Sequence, residues 1–80
     1  MKKTRRTQHE IMQQVGPIAN YVRKNRKRLG YTQEEFAWRA GVGMRFLREL
    51  EQGKTSLRMD KVMEVLAFLG AELIPMAIKK

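Results

Sequence analysis

The chain has 80 residues and a formal net charge of +9, so we expect one small domain with an excess of positive charge. It contains no cysteine, which excludes disulfides and thiolate metal sites, and no apolar run approaches the roughly 20 residues of a membrane span. The basic N-terminus is not followed by the apolar segment of a secretory signal, and we therefore expect a cytoplasmic protein.

The positive charge is concentrated at the N-terminus. Residues 1–28 carry nine Lys and Arg residues against one acid, for a net charge of +8, whereas residues 29–80 carry only +1. We predict that residues 1–15 form a flexible basic arm, with a nascent helix near residues 10–15. The arm either serves solubility alone or contacts a polyanion such as a nucleic acid.

The first regular helix is predicted over residues 17–29. Pro17 suits the first turn of a helix, because its missing N–H would be unpaired there anyway, and Gly30 ends the segment. Apolar residues recur on one face at helical spacing, namely Ile18, Val22 and Leu29. The opposite face is basic and carries Arg23, Lys24 and Lys27.

Two short helices joined by a tight glycine turn are predicted next. Thr32 and Glu35 form a capping-box pattern that begins the second helix. Gly41 ends this helix in the left-handed conformation that glycine tolerates, and the third helix starts near Gly43. The apolar stripe of the second helix consists of Phe36, Ala37 and Ala40. The inner face of the third helix consists of Val42, Phe46, Leu47 and Leu50.

A fourth helix follows a short loop and ends at Gly70. We predict that Ser56 or a near neighbour caps it. Its inward residues are Val62, Val65, Leu66 and Leu69. Residues 16–70 therefore form the helical domain, and residues 71–80 form a separate C-terminal tail.

The tail is predicted to form a short strand, because its apolar residues are too few for a helix before Pro75. These residues are Ala71, Leu73, Ile74 and Met76. A lone strand leaves backbone hydrogen bonds unmade, and pairing with the same strand of a second copy satisfies them. We therefore assign the tail to dimerisation. The alternative is a frayed tail that docks on the fourth helix.

The outer face of the third helix carries the residues that we predict to contact DNA bases: Met44, Arg45, Arg48 and Glu49. The two arginines are three positions apart and therefore neighbours, and an arginine fork can bind guanine O6 and N7 together. Glu49 either pairs with Arg45 or accepts a hydrogen bond from a cytosine amine. The alternative for the arginines is a merely solvated face, which the preceding glycine turn disfavours.

Phosphate contacts are expected around the ends of these two helices, where amides point outward and the helix dipole favours an anion. The residues that we assign to them are Thr32, Gln33, Arg39, Gly43, Lys54 and Thr55. Such contacts position a protein on a duplex without identifying its base sequence. Trp38 lies away from the apolar stripe of the second helix, and it forms either a contact surface or a packing site under the basic arm.

These segments resemble the Cro/repressor-type (XRE-like) helix-turn-helix family. The matching segments are TQEEFA, the AG turn and LEQGK, within a resemblance that covers residues 17–76. Within the family, RFLRELEQGK and the ending LGAELIPM are most similar to HipB-like antitoxins. The resemblance implies base reading at positions 44, 45 and 48, and a phosphate contact at Gln33.

The same resemblance implies a partly buried ion pair between Arg26 and Glu51, although Arg26 is otherwise one more residue of the basic face. It also implies that the C-terminal strand pairs across a homodimer. A HipA-like serine/threonine kinase toxin is the further partner that HipB-like proteins imply.

We therefore predict an all-α domain of four to five helices whose short C-terminal strand pairs across a homodimer. Its predicted function is repression of a promoter through a two-fold symmetric operator, together with neutralisation of a toxin. A stand-alone or phage-like repressor is the alternative, and a binder of RNA or of an anionic membrane is a third hypothesis. No cofactor, metal or catalytic site is expected, since His9 is the only histidine and no nucleophile–base–acid set can be assembled.

Overall fold

Four α-helices form the regular structure of the described chain. A computed structural model describes residues 8–77, with side chains from residue 15 onwards. The helices are α1 (Gln8–Arg28), α2 (Gln33–Ala40), α3 (Met44–Glu51) and α4 (Met59–Phe68). Between residues 8 and 77 there is no strand, so the predicted all-α class is confirmed for this part of the chain.

The first helix is longer than the sequence predicts. α1 begins at Gln8 and runs through Pro17, so the prediction of a start at residue 17 is wrong. Proline removes one intrahelical hydrogen bond, but its fixed φ of about −65° is compatible with a helix, and the turns on either side continue through it. The nascent helix predicted at residues 10–15 is part of α1. The remainder of the predicted arm, residues 1–7, lies outside the described residues.

The turn between α2 and α3 has the geometry that the sequence predicts. Thr32 Oγ1 accepts a hydrogen bond from the Glu35 N–H (3.1 Å), and the Thr32 N–H donates to Glu35 Oε1 (2.9 Å), which completes the capping box. Gly41 ends α2 at a φ of +80°, in the left-handed region where a side chain would be strained. Gly43 is the N-cap of α3. Two helices of eight residues each are thus joined by a tight turn.

One apolar core holds the four helices together. Its fully buried members come from every helix and are Val22, Phe36, Leu47, Leu50 and Val65. The Phe36 ring meets the Phe68 ring edge-on, with ring centroids 5.2 Å apart. Because Leu47 and Leu50 point into this core, the opposite side of α3 faces solvent. The core therefore sets the orientation of α3.

α4 begins without a side-chain cap. Its N-cap residue is Arg58, whose side chain makes no capping hydrogen bond, so the predicted cap by Ser56 or a near neighbour is not formed at this position. Arg58 Nη2 instead donates to Asp60 Oδ2 at 2.6 Å, and this hydrogen bond holds the pKa of the Asp60 carboxyl below its ordinary value. Within the first turn, Asp60 Oδ1 accepts a hydrogen bond from the Lys61 N–H at 2.9 Å. The Asp60 carboxylate lies in the first turn, where the helix dipole favours negative charge.

The segment after α4, residues 71–77, has no regular secondary structure. Ala71 packs against the core, and its N–H donates to the Leu66 carbonyl at 2.8 Å. Beyond it the side chains turn to solvent, with Ile74 67% and Met76 83% exposed. A strand needs a neighbouring strand to pair with, and the described residues of one copy supply none. The cross-dimer strand therefore stays a prediction.

Candidate nucleic-acid interface

The outer face of α3 presents two arginines to solvent. Arg45 and Arg48 are both exposed, and the Arg45 side chain is 91% accessible. Met44, in the first turn, is also exposed. The buried residues Leu47 and Leu50 lie on the other side, because helix positions three and four apart share a face. Met44, Arg45 and Arg48 therefore share one solvent-facing side of α3.

Glu49 completes this face and lies between two cations. Its Oε2 is 3.6 Å from Arg45 Nε and 3.3 Å from Lys54 Nζ. The Glu49 side chain is only 28% exposed, against 91% for the Arg45 side chain. The sequence leaves two roles open for Glu49, pairing with Arg45 or accepting a hydrogen bond from a cytosine amine. In the structure of the free chain, Glu49 pairs with Arg45.

A buried ion pair joins the end of α3 to α1. Arg26 Nε and Nη2 donate to the two carboxylate oxygens of Glu51 at 2.7 and 3.0 Å, and this bidentate arrangement is the strongest form of an arginine–carboxylate pair. Arg26 Nη1 also donates to the Tyr31 carbonyl at 2.9 Å. Gln33 Nε2 donates to Glu51 Oε1 at 3.1 Å, which brings the start of α2 into the same network. We call these four residues, Arg26, Tyr31, Gln33 and Glu51, the Glu51 network.

Arg23 makes a contact that the sequence did not reveal. Its Nη1 donates to the Glu51 carbonyl at 2.8 Å, and this carbonyl is among the last of α3, which have no partner within the helix. From the sequence we place Arg23 on the outer basic face of the first helix. Its position three residues before Arg26 was the available signal, because residues at that spacing are neighbours on a helix surface.

Two of the predicted phosphate contacts at the start of α2 already have partners within the protein. The Gln33 side chain donates to Glu51, and the Thr32 hydroxyl accepts the Glu35 N–H of the capping box. A phosphate contact through the Gln33 side chain therefore requires that its donor be shared with, or released from, Glu51. The first-turn N–H groups of a helix are the other donors that an anion can reach at this end.

The other predicted phosphate contacts lie around the two ends of α3 and on α2. Gly43 is exposed at the N-cap of α3, Lys54 pairs with Glu49 just after the C-terminal end, and Thr55 is half-buried. The Arg39 guanidinium lies over the Tyr31 ring, 5.0 Å from the ring centroid, in a cation–π contact. These four residues thus lie on α2, at the N-cap of α3 and in the loop that follows α3.

Trp38 projects from α2 into solvent. It is 80% exposed, so no described part of the chain packs over it. Of its two predicted roles, packing under the basic arm concerns side chains of residues 1–14, which lie outside the described residues, and this role stays a prediction. The contact-surface role also stays a prediction.

The described residues hold neither a metal site nor a membrane span. Between residues 15 and 77, no group of three or more side chains of the metal-ligating types is arranged to hold a metal ion. None of the helices between residues 8 and 77 is long and apolar enough to cross a lipid bilayer.

The arrangement of α2, the glycine turn and α3 is that of a helix-turn-helix domain. The sequence profile of the helix-turn-helix family matches residues 22–74. The chain is also 43% identical, over 59 residues that make up 74% of each chain, to the "uncharacterized HTH-type transcriptional regulator y4mF" of Sinorhizobium fredii (strain NBRC 101917 / NGR234). No solved structure matches the chain significantly. The chain therefore belongs to the XRE-like helix-turn-helix family, and such a domain implies DNA binding.

Proposed function

We propose that this chain is a sequence-specific transcriptional repressor that reads DNA with α3. We base this on the exposed pair Arg45 and Arg48 on the outer face of a helix-turn-helix domain. A guanidinium can bind guanine O6 and N7 through two parallel hydrogen bonds, so a helix that carries two of them can distinguish base pairs. The net charge of +9 supports the same function, because it draws the protein toward DNA at long range.

The Glu51 network supports this function by keeping α3 in place. Base recognition requires that the reading helix hold its orientation while its side chains bind the groove. The bidentate pair of Arg26 with Glu51 joins the C-terminal end of α3 to α1, and Gln33 joins it to α2. Leu47 anchors the middle of α3 in the core. The reading face is therefore carried by a rigid support.

The experiment that tests the repressor function is selection of bound duplexes from a pool of random DNA. We expect enrichment of one two-fold symmetric sequence whose half-sites lie one helical turn, roughly 34 Å, apart. The Arg45→Ala/Arg48→Ala double variant, run in parallel, should not enrich that sequence. Recovery of no common sequence by the unmodified chain would contradict the proposal.

We further propose that the repressor is a homodimer. Apolar side chains are exposed on α4 and on the segment that follows it: Met59, Met63, Ile74 and Met76. A group of exposed apolar side chains on a small domain favours association, because contact removes apolar surface from water. In a dimer whose two-fold axis lies beside this surface, the α3 helix of each protomer contacts one half-site of the operator. The predicted C-terminal strands of the two protomers then pair across that axis.

Removal of residues 72–80 should weaken the dimer about tenfold or more, because each buried Ile or Met side chain contributes roughly 1.5–3 kcal/mol. Ala71 is retained, since its N–H bonds the Leu66 carbonyl and its side chain packs on the core. The measurement is the molar mass in solution, by light scattering over a range of protein concentrations. Removal of residues 78–80 alone is the matched control. An unchanged mass for the longer deletion would exclude the tail from dimerisation.

The finer proposal is that the repressor is a HipB-like antitoxin that autoregulates its own operon and neutralises a HipA-like kinase. It is supported by the resemblance of RFLRELEQGK and of the LGAELIPM ending to that group. If it is correct, the neighbouring gene encodes a serine/threonine kinase whose toxicity is relieved by co-expression of this chain. Growth that co-expression does not restore would leave the alternative, a stand-alone repressor without a toxin partner.

A further inference from the structure

Glu49 is the one side chain on the reading face of α3 that is both acidic and partly covered. The same oxygen, Oε2, lies 3.6 Å from Arg45 Nε and 3.3 Å from Lys54 Nζ. The two cations belong to different parts of the predicted interface: Arg45 to base reading and Lys54 to phosphate contact. A single carboxylate therefore lies between the two kinds of DNA contact.

We propose that Glu49 is a specificity-determining residue that acts as the shared counterion of Arg45 and Lys54. This inference rests on the proposed function, because it concerns how that interface distinguishes its operator from other DNA. One negative charge serves two positive charges, so the two cations compete for it. Neither Arg45 nor Lys54 is then fully available to a phosphate backbone, and generic DNA is bound less tightly than the charge of α3 would otherwise allow.

The covered position of Glu49 explains why it, rather than either cation, is the fixed member of the group. The side chain of Glu49 is 28% exposed, against 47% for Lys54 and 91% for Arg45. The contact to Arg45 is made at Nε, on the side edge of the guanidinium, and the Arg45 side chain is 91% exposed, so the end-on edge formed by Nη1 and Nη2 is open to solvent. Arg45 can therefore offer a two-nitrogen fork to a guanine while Glu49 holds the base of that fork.

The arrangement also couples the two cations energetically. When a DNA phosphate binds Lys54, Glu49 remains paired with Arg45. When a base binds Arg45, Glu49 remains paired with Lys54. If DNA takes both, the carboxylate is left against the duplex without a cation, which is unfavourable. Only a site that compensates for this, by good base contacts at Arg45, recovers full affinity. Generic DNA does not compensate, and this difference is the source of the discrimination.

Glu49→Gln tests the proposal directly, because glutamine has nearly the same shape and no charge. We expect affinity for a random-sequence duplex to rise about 2- to 10-fold near 0.1 M salt, and the salt dependence to steepen by about 0.9 for each cation released. Affinity for the selected operator should change less, so the ratio of operator to random binding falls. Binding is measured by fluorescence anisotropy with labelled duplexes over a series of salt concentrations.

The matched control is Glu64→Gln, which makes the same change in net charge at an exposed position on α4. It should alter binding to either duplex by less than about twofold, since a distant exposed charge is largely screened. Far-UV circular dichroism of both variants checks that the helices are unchanged. An equal gain for the two glutamine variants would mean that only net charge matters, and would overturn the proposal.

A second measurement tests whether the contributions of Arg45 and Lys54 to DNA affinity are coupled through Glu49. On random DNA, the double substitution Arg45→Gln/Lys54→Gln should cost less than the sum of the single substitutions, because removal of one cation leaves Glu49 to neutralise the other. In the Glu49→Gln background the two costs should add within about twofold. Additive costs in both backgrounds would overturn the proposal.

Two further outcomes separate this inference from the function on which it rests. If Glu49→Gln abolishes a preference for cytosine at one operator position and leaves random-DNA affinity unchanged, Glu49 reads a base and is not a counterion. If the unmodified chain binds operator and random DNA equally, the repressor function fails, and the counterion role fails as a source of specificity with it. If the unmodified chain prefers its operator but Glu49→Gln leaves the salt dependence of binding to random DNA unchanged, only the counterion role is contradicted.

Discussion

Glu51→Ala should lower the free energy of unfolding by about 3–5 kcal/mol, because it leaves the Arg26 guanidinium buried without its anion. Arg26 is only 8% exposed. The substitution removes both acceptors of the bidentate pair and also the acceptor of the Gln33 amide, so three donor groups on two side chains lose their partner at once. Since small domains have total stabilities of roughly 5–15 kcal/mol, the loss is a large fraction of the whole. Urea denaturation followed by far-UV circular dichroism measures it.

Two controls separate loss of the pair from loss of a glutamate. Glu64→Ala removes the same side chain from an exposed position of α4, and its effect should lie within about 0.5 kcal/mol of zero. The double variant Arg26→Met/Glu51→Leu removes both charges together and should recover most of the stability, because no unpaired charge then remains. A loss below about 1 kcal/mol for Glu51→Ala would contradict a structural role for the ion pair.

Arg45→Ala and Arg48→Ala should each reduce operator affinity by about 1–3 kcal/mol, which corresponds to roughly 5- to 150-fold. The reason is that each substitution removes a fork able to bind guanine, and alanine offers no donor in its place. Affinity for random DNA should fall much less, by the loss of one positive charge, with the salt dependence reduced by about 0.9. Anisotropy titrations of the selected operator and of a scrambled duplex give both quantities.

Arg58→Ala is the control for the substitutions Arg45→Ala and Arg48→Ala. It removes the same side chain and charge from an exposed residue at the start of α4 that is already bound to Asp60. Its effect on operator affinity should stay near that of a single screened charge. If the α3 variants lose as much on random DNA as on the operator, then Arg45 and Arg48 contact phosphates only, and the reading role assigned to them is wrong.

The features that the sequence predicts well are those set by local chemistry. The capping box of Thr32 and Glu35 needs only two residues at the right spacing, and the left-handed ends at Gly41 and Gly70 need only the absence of a Cβ. Helical periodicity likewise places Leu47 and Leu50 in the core. From these, the helix-turn-helix unit and the outward face of α3 follow without any knowledge of the rest of the chain.

The features that the sequence misses depend on tertiary context. Pro17 is a typical start of a helix, yet α1 continues through it, because the helical turns on both sides offset the roughly 3 kcal/mol that a proline inside a helix costs. Arg23 and Gln33 look like surface residues in the sequence, and only the approach of the α3 C-terminus turns them into donors to Glu51. The partner of each of these side chains lies 18 or more positions away along the chain.

Trp38 is the only tryptophan in the sequence, and the residue is 80% exposed in the folded chain. Its fluorescence will therefore resemble that of an indole in water before and after denaturation, so emission is a poor monitor of unfolding for this protein. The same property makes it a clean optical reporter of association. Any shift of the emission to shorter wavelength when DNA or a protein is added will signal that the outer side of α2 has been covered.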